Sequence, residues 1–311
     1  MVSTDDRAFL VKKYAAAVAF DEPMSRHTTM RVGGPADVLF YPKDTVMFTN
    51  ILVWAKDRGL PVTVLGAGSN VIVGDAGIRG IVLKLTRGFD GICIAQKHKD
   101  HVIVSAGAGA RLPSLVTFAI DHGFEGLNFA VGIPGTVGGA VRMNAGTQSG
   151  CMADIIERIN LFLPTFEVTD QQRNELNFSY RGVEMIPKSI ILQAYMRLGL
   201  GSADALRKAA RAELEKRQVR QPYNEASAGS IFKNPATGPA AGELIEKAGL
   251  KGVCINDAQV SEKHANFIVN RDKASGSDVI NLLHLVQQTV FNKSGVMLEP
   301  EVMIFGSQNP A

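Results

Sequence analysis

An α+β fold is predicted for this chain, and three observations predict it. Helical and strand-like segments alternate, but the strands are short and broken by glycine, which suits mixed layers better than a doubly wound sheet. The early glycine turn, "VLGAGSNVIV" at residues 64–73, fails the dinucleotide fingerprint. Gly66 and Gly68 lack the third glycine that lets a helix pack on its strand. The "VIV" that follows is β-branched and reads as a second strand, so this turn joins strand to strand. On its own it admits either a phosphate against loop amides or a tight turn with no ligand.

Taken in order, "TVMFTNILVWAKDRG" (45–59) fits a helix with Val46, Ile51 and Trp54 on one face and Gly59 past its end. "LPVTVLG" follows as a strand, then "GIVLKL" (80–85), "GICIA" (91–95) and "HVIVSAG" (101–107). "RLPSLVTFAIDHG" is a helix with Pro113 in its first turn and Gly123 after its last. Residues 126–146, "GLNFAVGIPGTVGGAVRMNAG", contain six glycines and predict no helix of useful length. So little side chain suits backbone that must approach something flat or anionic, and the intervening Ile133, Val137, Val141 and Met143 argue against disorder.

At "LGLGSAD" (198–204) the character changes, and a domain boundary is placed near residue 200. A charged helix capped by Ser202 or Asp204 runs to just before Pro222. The last hundred residues hold the helix "AGELIEKAGLKG", the strand "ANFIVN" and a second helix, "SDVINLLHLVQQTVFNKSG". Its apolar stripe is Val279, Leu282, Leu283, Val286 and Val290, with Gly295 as its stop. The strand "EVMIF" comes last.

Bulk composition narrows the function classes. The 311 residues suggest two or three domains, with an ordinary globular balance of 46% apolar and 20% charged residues. A net charge of +3 is too small to argue for nucleic acid. Cys93, Cys151 and Cys254 are far apart, odd in number and without C-x-x-C spacing. They are expected to be buried small apolar residues in a reducing compartment. The opening "MVSTDDRAFLVKK" does not read as a secretory leader, and no window approaches 18 uninterrupted apolar residues; a cytoplasmic protein without a membrane span is expected.

The six histidines show no H-x-x-x-H spacing and no His–Cys pair, so no metal is expected; His264 reads as structural. Neither G-x-S-x-G nor G-x-x-x-x-G-K-[ST] occurs. Three polar residues stand out from apolar surroundings: Arg181 in "FSYRGVEM", Ser230 in "SAGSIFKNP" and Glu301 in "MLEPEVMIF". Each also admits a plain reading as a surface ion pair, a turn residue and the solvent side of an edge strand.

With these in view, the chain resembles the UDP-N-acetylenolpyruvoylglucosamine reductase family. The strings "TTMRVGGPAD", "VLGAGSNVIV", "GIPGTVGGAVRMNAG", "YR", "SAGSIFKNP", "LIEKAGLKG", "AQVSEKHANFIVN" and "LEPEV" occur in the family's order, from about residue 24 to residue 306. The resemblance implies an FAD-binding fold of the vanillyl-alcohol-oxidase type in two lobes, 1–86 and 87–200, followed by a substrate-binding domain, 201–311. It implies that Gly66, Ala67, Gly68, Ser69 and Asn70 wrap the FAD pyrophosphate. Gly132, Ile133, Pro134, Gly135, Thr136, Gly138 and Gly139 would line the flavin with Asn144 nearby, and Arg31, Val32 and Gly33 would lie close to the FAD site.

Ser230 would be the proton donor, with Arg181 and Glu301 assisting. Glu301 is preferred over Glu299 because the family's catalytic glutamate directly precedes the valine of that last strand. Tyr180, Lys233, Asn234 and Gln259 would lie near the nucleotide sugar. The implied activity is NADPH- and FAD-dependent reduction of UDP-N-acetylglucosamine enolpyruvate to UDP-N-acetylmuramate, a step of peptidoglycan precursor synthesis, by a monomer of the family's shorter type. No separate nicotinamide fingerprint is present, which fits NADPH and substrate occupying one cleft in turn. Three departures from the family pattern, Val183, Met303 and Asn256-Asp257, raise the question of how Arg181, Glu301 and the substrate are held. Two other functions remain open at this point: a flavin oxidase of the same fold, and a non-catalytic protein that binds FAD or a nucleotide sugar.

Overall fold

A computed structural model of the chain describes residues 2–306. They fold as two compact units. One comprises the described residues of Met1–Leu39, Gly68–Val82 and Arg217–Ala311; the other comprises Phe40–Ala67 and Leu83–Lys216. The chain passes from the second to the first within the glycine turn, between Ala67 and Gly68.

The second unit is built on an antiparallel sheet. Its strands lie in the order Val168–Gln172, Ile156–Phe162, Ile190–Leu200, His101–Gly107, Ile92–Lys97, and Phe124–Glu125 pairs with the end of Ile190–Leu200. His101–Gly107 lies inside the sheet and is buried along nearly its whole length, as its apolar run requires. Ile92–Lys97 is an edge strand with an exposed outer side.

The helix Thr45–Asp57 starts at Asp44, whose side chain accepts from the Met47 N–H at 2.7 Å. Its buried face is Phe48, Ile51, Trp54 and Ala55, and the Phe48 ring meets Phe162 edge-on at 4.9 Å. Val46, expected on this face, is 70% exposed. The apolar stripe starts at Phe48, and Val46 lies off its i, i+3, i+7 spacing. The helix Leu112–Asp121 has proline in its first turn, and Gly123 beyond it has φ +70°.

The glycine-rich segment corrects a second expectation, because it contains the six-residue helix Val137–Arg142. The Thr136 hydroxyl caps it, and its first N–H groups, those of Val137 and Gly138, donate to Ala110 O and Ala108 O at 2.9 Å each. A Cβ on Gly138 would lie 2.8 Å from the Ala108 Cβ. Glycine here lets a short helix lie close against a neighbouring chain segment, a use that a propensity scale counts only as a penalty.

The first unit places the strands Val18–Pro23, Pro35–Phe40 and Ile78–Leu83 side by side in that order. A second, antiparallel sheet runs Ala226–Ser230, Phe267–Asn270, Ala258–Val260, Cys254–Ile255. Against it packs the helix Gly276–Ser294, entered through a Ser275–Asp278 capping box and closed by Gly295 at φ +71°. All five predicted stripe residues are buried, in one core with Leu244, Ile245, Ala258, Val260 and Ile268. The last strand, Met303–Phe305, lies parallel to Val71–Val73. In the charged helix Ala203–Arg220 only Leu206 is buried, and Ser202 Oγ accepts from Ala205 N at 3.5 Å.

The cysteines do not match expectation. Cys93 and Cys254 are exposed, Cys151 is half-buried, and all three are free thiols. Cys93 and Cys254 sit on edge strands, where one side has no neighbour to cover it. Among the described residues no helix is long and apolar enough to cross a membrane, and no group of His, Cys, Asp and Glu is arranged to hold a metal ion.

Candidate active site

In the first unit, Ser230 ends a strand that shifts register between Ser227 and Ser230, where Gly229 takes φ +79°. That bulge is the local reason the chain turns at Ser230. Beyond it, residues 231–233 run antiparallel to 299–301. Glu301 N–H donates to Ile231 O at 2.7 Å, Lys233 N–H to Glu299 O at 2.8 Å, and Phe232 bridges Pro300. On the other side Asn70 Nδ2 donates to Glu301 O at 3.0 Å, and Met303 N–H donates to Asn70 O at 3.0 Å. Ser230 and Glu301 therefore stand on directly bonded segments, and Asn70 of the glycine turn ties into the same weave.

Sequence reasoning missed one residue here. Asn266, 4% exposed, accepts from Phe232 N–H at 3.0 Å and donates to Phe232 O at 2.8 Å, while its own carbonyl takes the Ile231 N–H at 2.9 Å. It continues the sheet with a side chain and fixes the two residues after Ser230. The available signal was an amide side chain set between Ala265 and Phe267 in an apolar run.

The other first-unit candidates have defined surroundings. Lys233 pairs with Glu299 at 2.5 Å, so the fallback acid Glu299 is engaged. Asn234 Oδ1 accepts from Ala241 N–H at 3.0 Å, at the start of the helix Ala241–Lys247. Gln259 Nε2 donates to Gly252 O at 3.2 Å and its Oε1 accepts from Arg271 at 3.2 Å. Arg31 and Gly33 have φ +58° and +129°, and the intervening Val32 is buried, with its carbonyl accepting from the Thr28 hydroxyl at 2.9 Å.

In the second unit, Arg181 occupies the tip of a hairpin between Asn177–Ser179 and Gly182–Glu184, at φ +62°. A non-glycine residue in this region stores strain and persists only where its surroundings hold it. Three bonds from the glycine segment do so. Arg142 Nη1 donates to Val183 O at 3.3 Å, Asn144 Nδ2 to Ser179 O at 2.9 Å, and Arg181 Nη1 to Gly146 O at 3.3 Å. Asn144, itself at φ +42° and 9% exposed, also accepts from Ala153 N–H at 3.0 Å. Tyr180 is 54% exposed, with the Arg181 guanidinium 5.0 Å from its ring centre. The three catalytic candidates are thus divided, Ser230 and Glu301 in one unit and Arg181 in the other.

The departures from the family pattern find local explanations. Val183 is buried, and its carbonyl accepts from Arg142. Glu301 is held by backbone bonds and by Asn70, so no arginine at position 303 is needed to fix its segment. Asn256 takes φ +48° in a tight turn, a conformation asparagine tolerates better than most residues, and donates to Asp278 at 2.7 Å.

The residues present fit FAD. A Cβ on Gly66 would lie 2.5 Å from Thr136 Oγ1, and one on Gly68, at φ +68°, 2.2 Å from His27 O. Neither position accepts a side chain, so the turn stays bare backbone with the small residues Ala67 and Ser69 between. No carboxylate lies in residues 65–70 to repel a pyrophosphate. In the second unit, Gly132 and Gly135 take φ +75° and +147°, backbone conformations that favour glycine. Among histidines, His264 is held neutral: burial depresses its pKa, and its Nδ1 accepts from Asn266 N–H at 3.2 Å.

Comparison with known proteins places the chain in a family. Residues 221–305 match the model of the UDP-N-acetylenolpyruvoylglucosamine reductase C-terminal domain, and residues 36–170 match an FAD binding domain. UDP-N-acetylenolpyruvoylglucosamine reductase of Desulfosudis oleivorans is 40% identical over 310 residues, covering 96% of this chain and 98% of the relative. That of Agathobacter rectalis is 44% identical over 296 residues, covering 92% and 93%. The crystal structure of the reductase from Thermus caldophilus matches with a TM-score of 0.79 at 33% identity, over 91% of this chain and 97% of that one. The α+β fold is therefore the FAD-binding fold that the sequence implied. The chain belongs to the UDP-N-acetylenolpyruvoylglucosamine reductase family.

Proposed function

We propose that this protein reduces UDP-N-acetylglucosamine enolpyruvate to UDP-N-acetylmuramate, with NADPH as reductant and FAD as cofactor, for peptidoglycan precursor synthesis. The observation that carries this reading is the weave in which Ser230, Glu301 and Asn70 stand on mutually bonded segments. A proton donor, an acid and the phosphate-binding turn meet there. Residues 1–86 and 87–200 serve as the two FAD lobes and residues 201–311 as the substrate-binding part. The enzyme works as a cytoplasmic monomer.

When bound, FAD would supply the hydride chemistry between NADPH and the methylene carbon of the enolpyruvyl ether. The residues of the chain do the rest. Gly66 to Asn70 would hold the pyrophosphate through backbone N–H groups, and Gly132, Ile133, Pro134, Gly135, Thr136, Gly138 and Gly139 would line the flavin. As electron density moves onto the neighbouring carbon and its carboxylate, Arg181 grips that carboxylate with a guanidinium that stays charged. A fixed donor aimed at developing charge is worth about 3–4 kcal/mol.

Ser230 gives its proton to that carbon. Glu301 serves the same enol system, either protonated as a donor or by orienting a water. Tyr180, Lys233, Asn234 and Gln259 face the nucleotide sugar.

Purified protein should carry FAD, and its NADPH consumption should require the enolpyruvyl substrate and yield UDP-N-acetylmuramate by mass spectrometry. Turnover with oxygen on a hydroxyl compound, without nicotinamide, would instead establish an oxidase.

A further inference from the structure

We propose that Arg142 and Asn144 are positioning residues that clamp the Arg181 hairpin onto the glycine-rich segment, an inference that rests on the role given to Arg181 above. Alternate residues of one segment, 142, 144 and 146, bond to 183, 179 and 181 of the hairpin. The bonds fall on both hairpin strands and on the tip. Each flank is therefore held independently, and the strained residue between them has its guanidinium drawn to Gly146 O.

Asn144 is suited to the task because both ends of its amide are used. Its Oδ1 takes Ala153 N–H and its Nδ2 reaches Ser179 O. A side chain so committed acts on the hairpin, whichever other groups its backbone faces. Arg142 lies on the exposed side of its helix, and the bond to Val183 O reaches the strand leaving the tip. Two short strands make a weak hairpin by themselves. Without the clamp the αL residue would relax, and Arg181 would lose its aim.

The expected consequence is selective. Arg142→Met should slow flavin reoxidation by the enolpyruvyl substrate about 10-fold, and Asn144→Asp, which sets a carboxylate against a carbonyl, about 100-fold, the scale of a 1 Å misplacement. In Arg142→Met, flavin reduction by NADPH should hold within about 2-fold, because the carboxylate charge that Arg181 meets develops only when the enolpyruvyl substrate is reduced, and Arg142→Lys, which keeps one donor, should recover most of the loss. Calorimetry of UDP-N-acetylmuramate binding gives a second readout and should show the same order of weakening.

In an Arg181→Ala background, adding Arg142→Met should change neither quantity further, whereas independent effects would add. If Arg181→Ala cuts both quantities while Arg142→Met leaves both at wild-type values, the clamp is overturned and the role of Arg181 stands. If Arg181→Ala itself is silent, both fall. Arg142 is surface-exposed, so its variants test the proposal even if Asn144→Asp fails to fold.

Discussion

Glu301 and Arg181, the two residues proposed to assist one proton donor, are held by different means. The Glu301 segment is strand-like and bonded on two sides, to Ile231 and Glu299–Lys233 on one and to Asn70 on the other. Its place is fixed almost wholly by backbone, so the side chain at 301 or 303 can change without moving the chain. Arg181 sits at a hairpin tip at φ +62°, and bonds from Arg142 and Asn144 hold the flanks of that tip. Backbone ladders make a group robust; a side-chain clamp on a strained turn makes it aimed but dependent on its neighbours.

The largest expected effect falls on the robust side. Ser230→Ala should leave flavin reduction by NADPH intact and slow reoxidation by the enolpyruvyl substrate about 10²–10⁴-fold, the usual worth of a general acid. Stopped-flow absorbance separates the two steps, and equal loss of both would remove Ser230 from the proton-donor role.

Arg181→Gly sharpens the contrast. It should cost about 10²–10³-fold in the same step. Yet the thermal midpoint should stay level or rise, because glycine accepts φ +62° without strain. A marked fall in melting temperature would mean that the guanidinium contact, not the backbone, dominates that turn.

Gly68→Ala tests the cofactor turn. A Cβ 2.2 Å from His27 O at a left-handed position should cost about 1–3 kcal/mol in denaturant midpoints and weaken FAD retention. Retained FAD and unchanged stability would show that the turn has slack.

The smallest effect concerns His264. Burial depresses its folded pKa, with Lys251 opposing protonation and Glu246 favouring it. Its contribution is complete above the unfolded pKa of about 6.5 and is lost as pH falls towards the lower folded value, where the unfolded chain binds the extra proton. Thermal midpoints should therefore fall less steeply below about pH 6.5 in His264→Gln than in wild type. Parallel pH curves would exclude His264 as a source of that slope.

Much of the fold is legible in the sequence because its signals are local and repeated. The helix Gly276–Ser294 announces itself through five stripe residues, a capping box and a glycine stop, and the strand-to-strand nature of the 65–70 turn follows from "VIV" alone. The helix Val137–Arg142 is illegible because what stabilises it is Gly138 against Ala108, a long-range contact that outweighs low propensity. Val46 and the cysteines mislead because residue type says how apolar a side chain is, not whether a neighbour covers it. Among the candidate residues, Ser230, Glu301 and Arg181 stand out in the sequence as polar residues in apolar surroundings. Asn266, Arg142 and the bonds that Asn70 and Asn144 make do not, since each joins positions far apart in the chain.

The central claim is that one bound flavin passes electrons from NADPH to an enolpyruvyl ether. Anaerobic single-turnover absorbance tests it most directly: NADPH should bleach the flavin band of the purified protein, and one equivalent of UDP-N-acetylglucosamine enolpyruvate should restore it. A bleached protein that regains its colour only when oxygen is admitted would contradict the account.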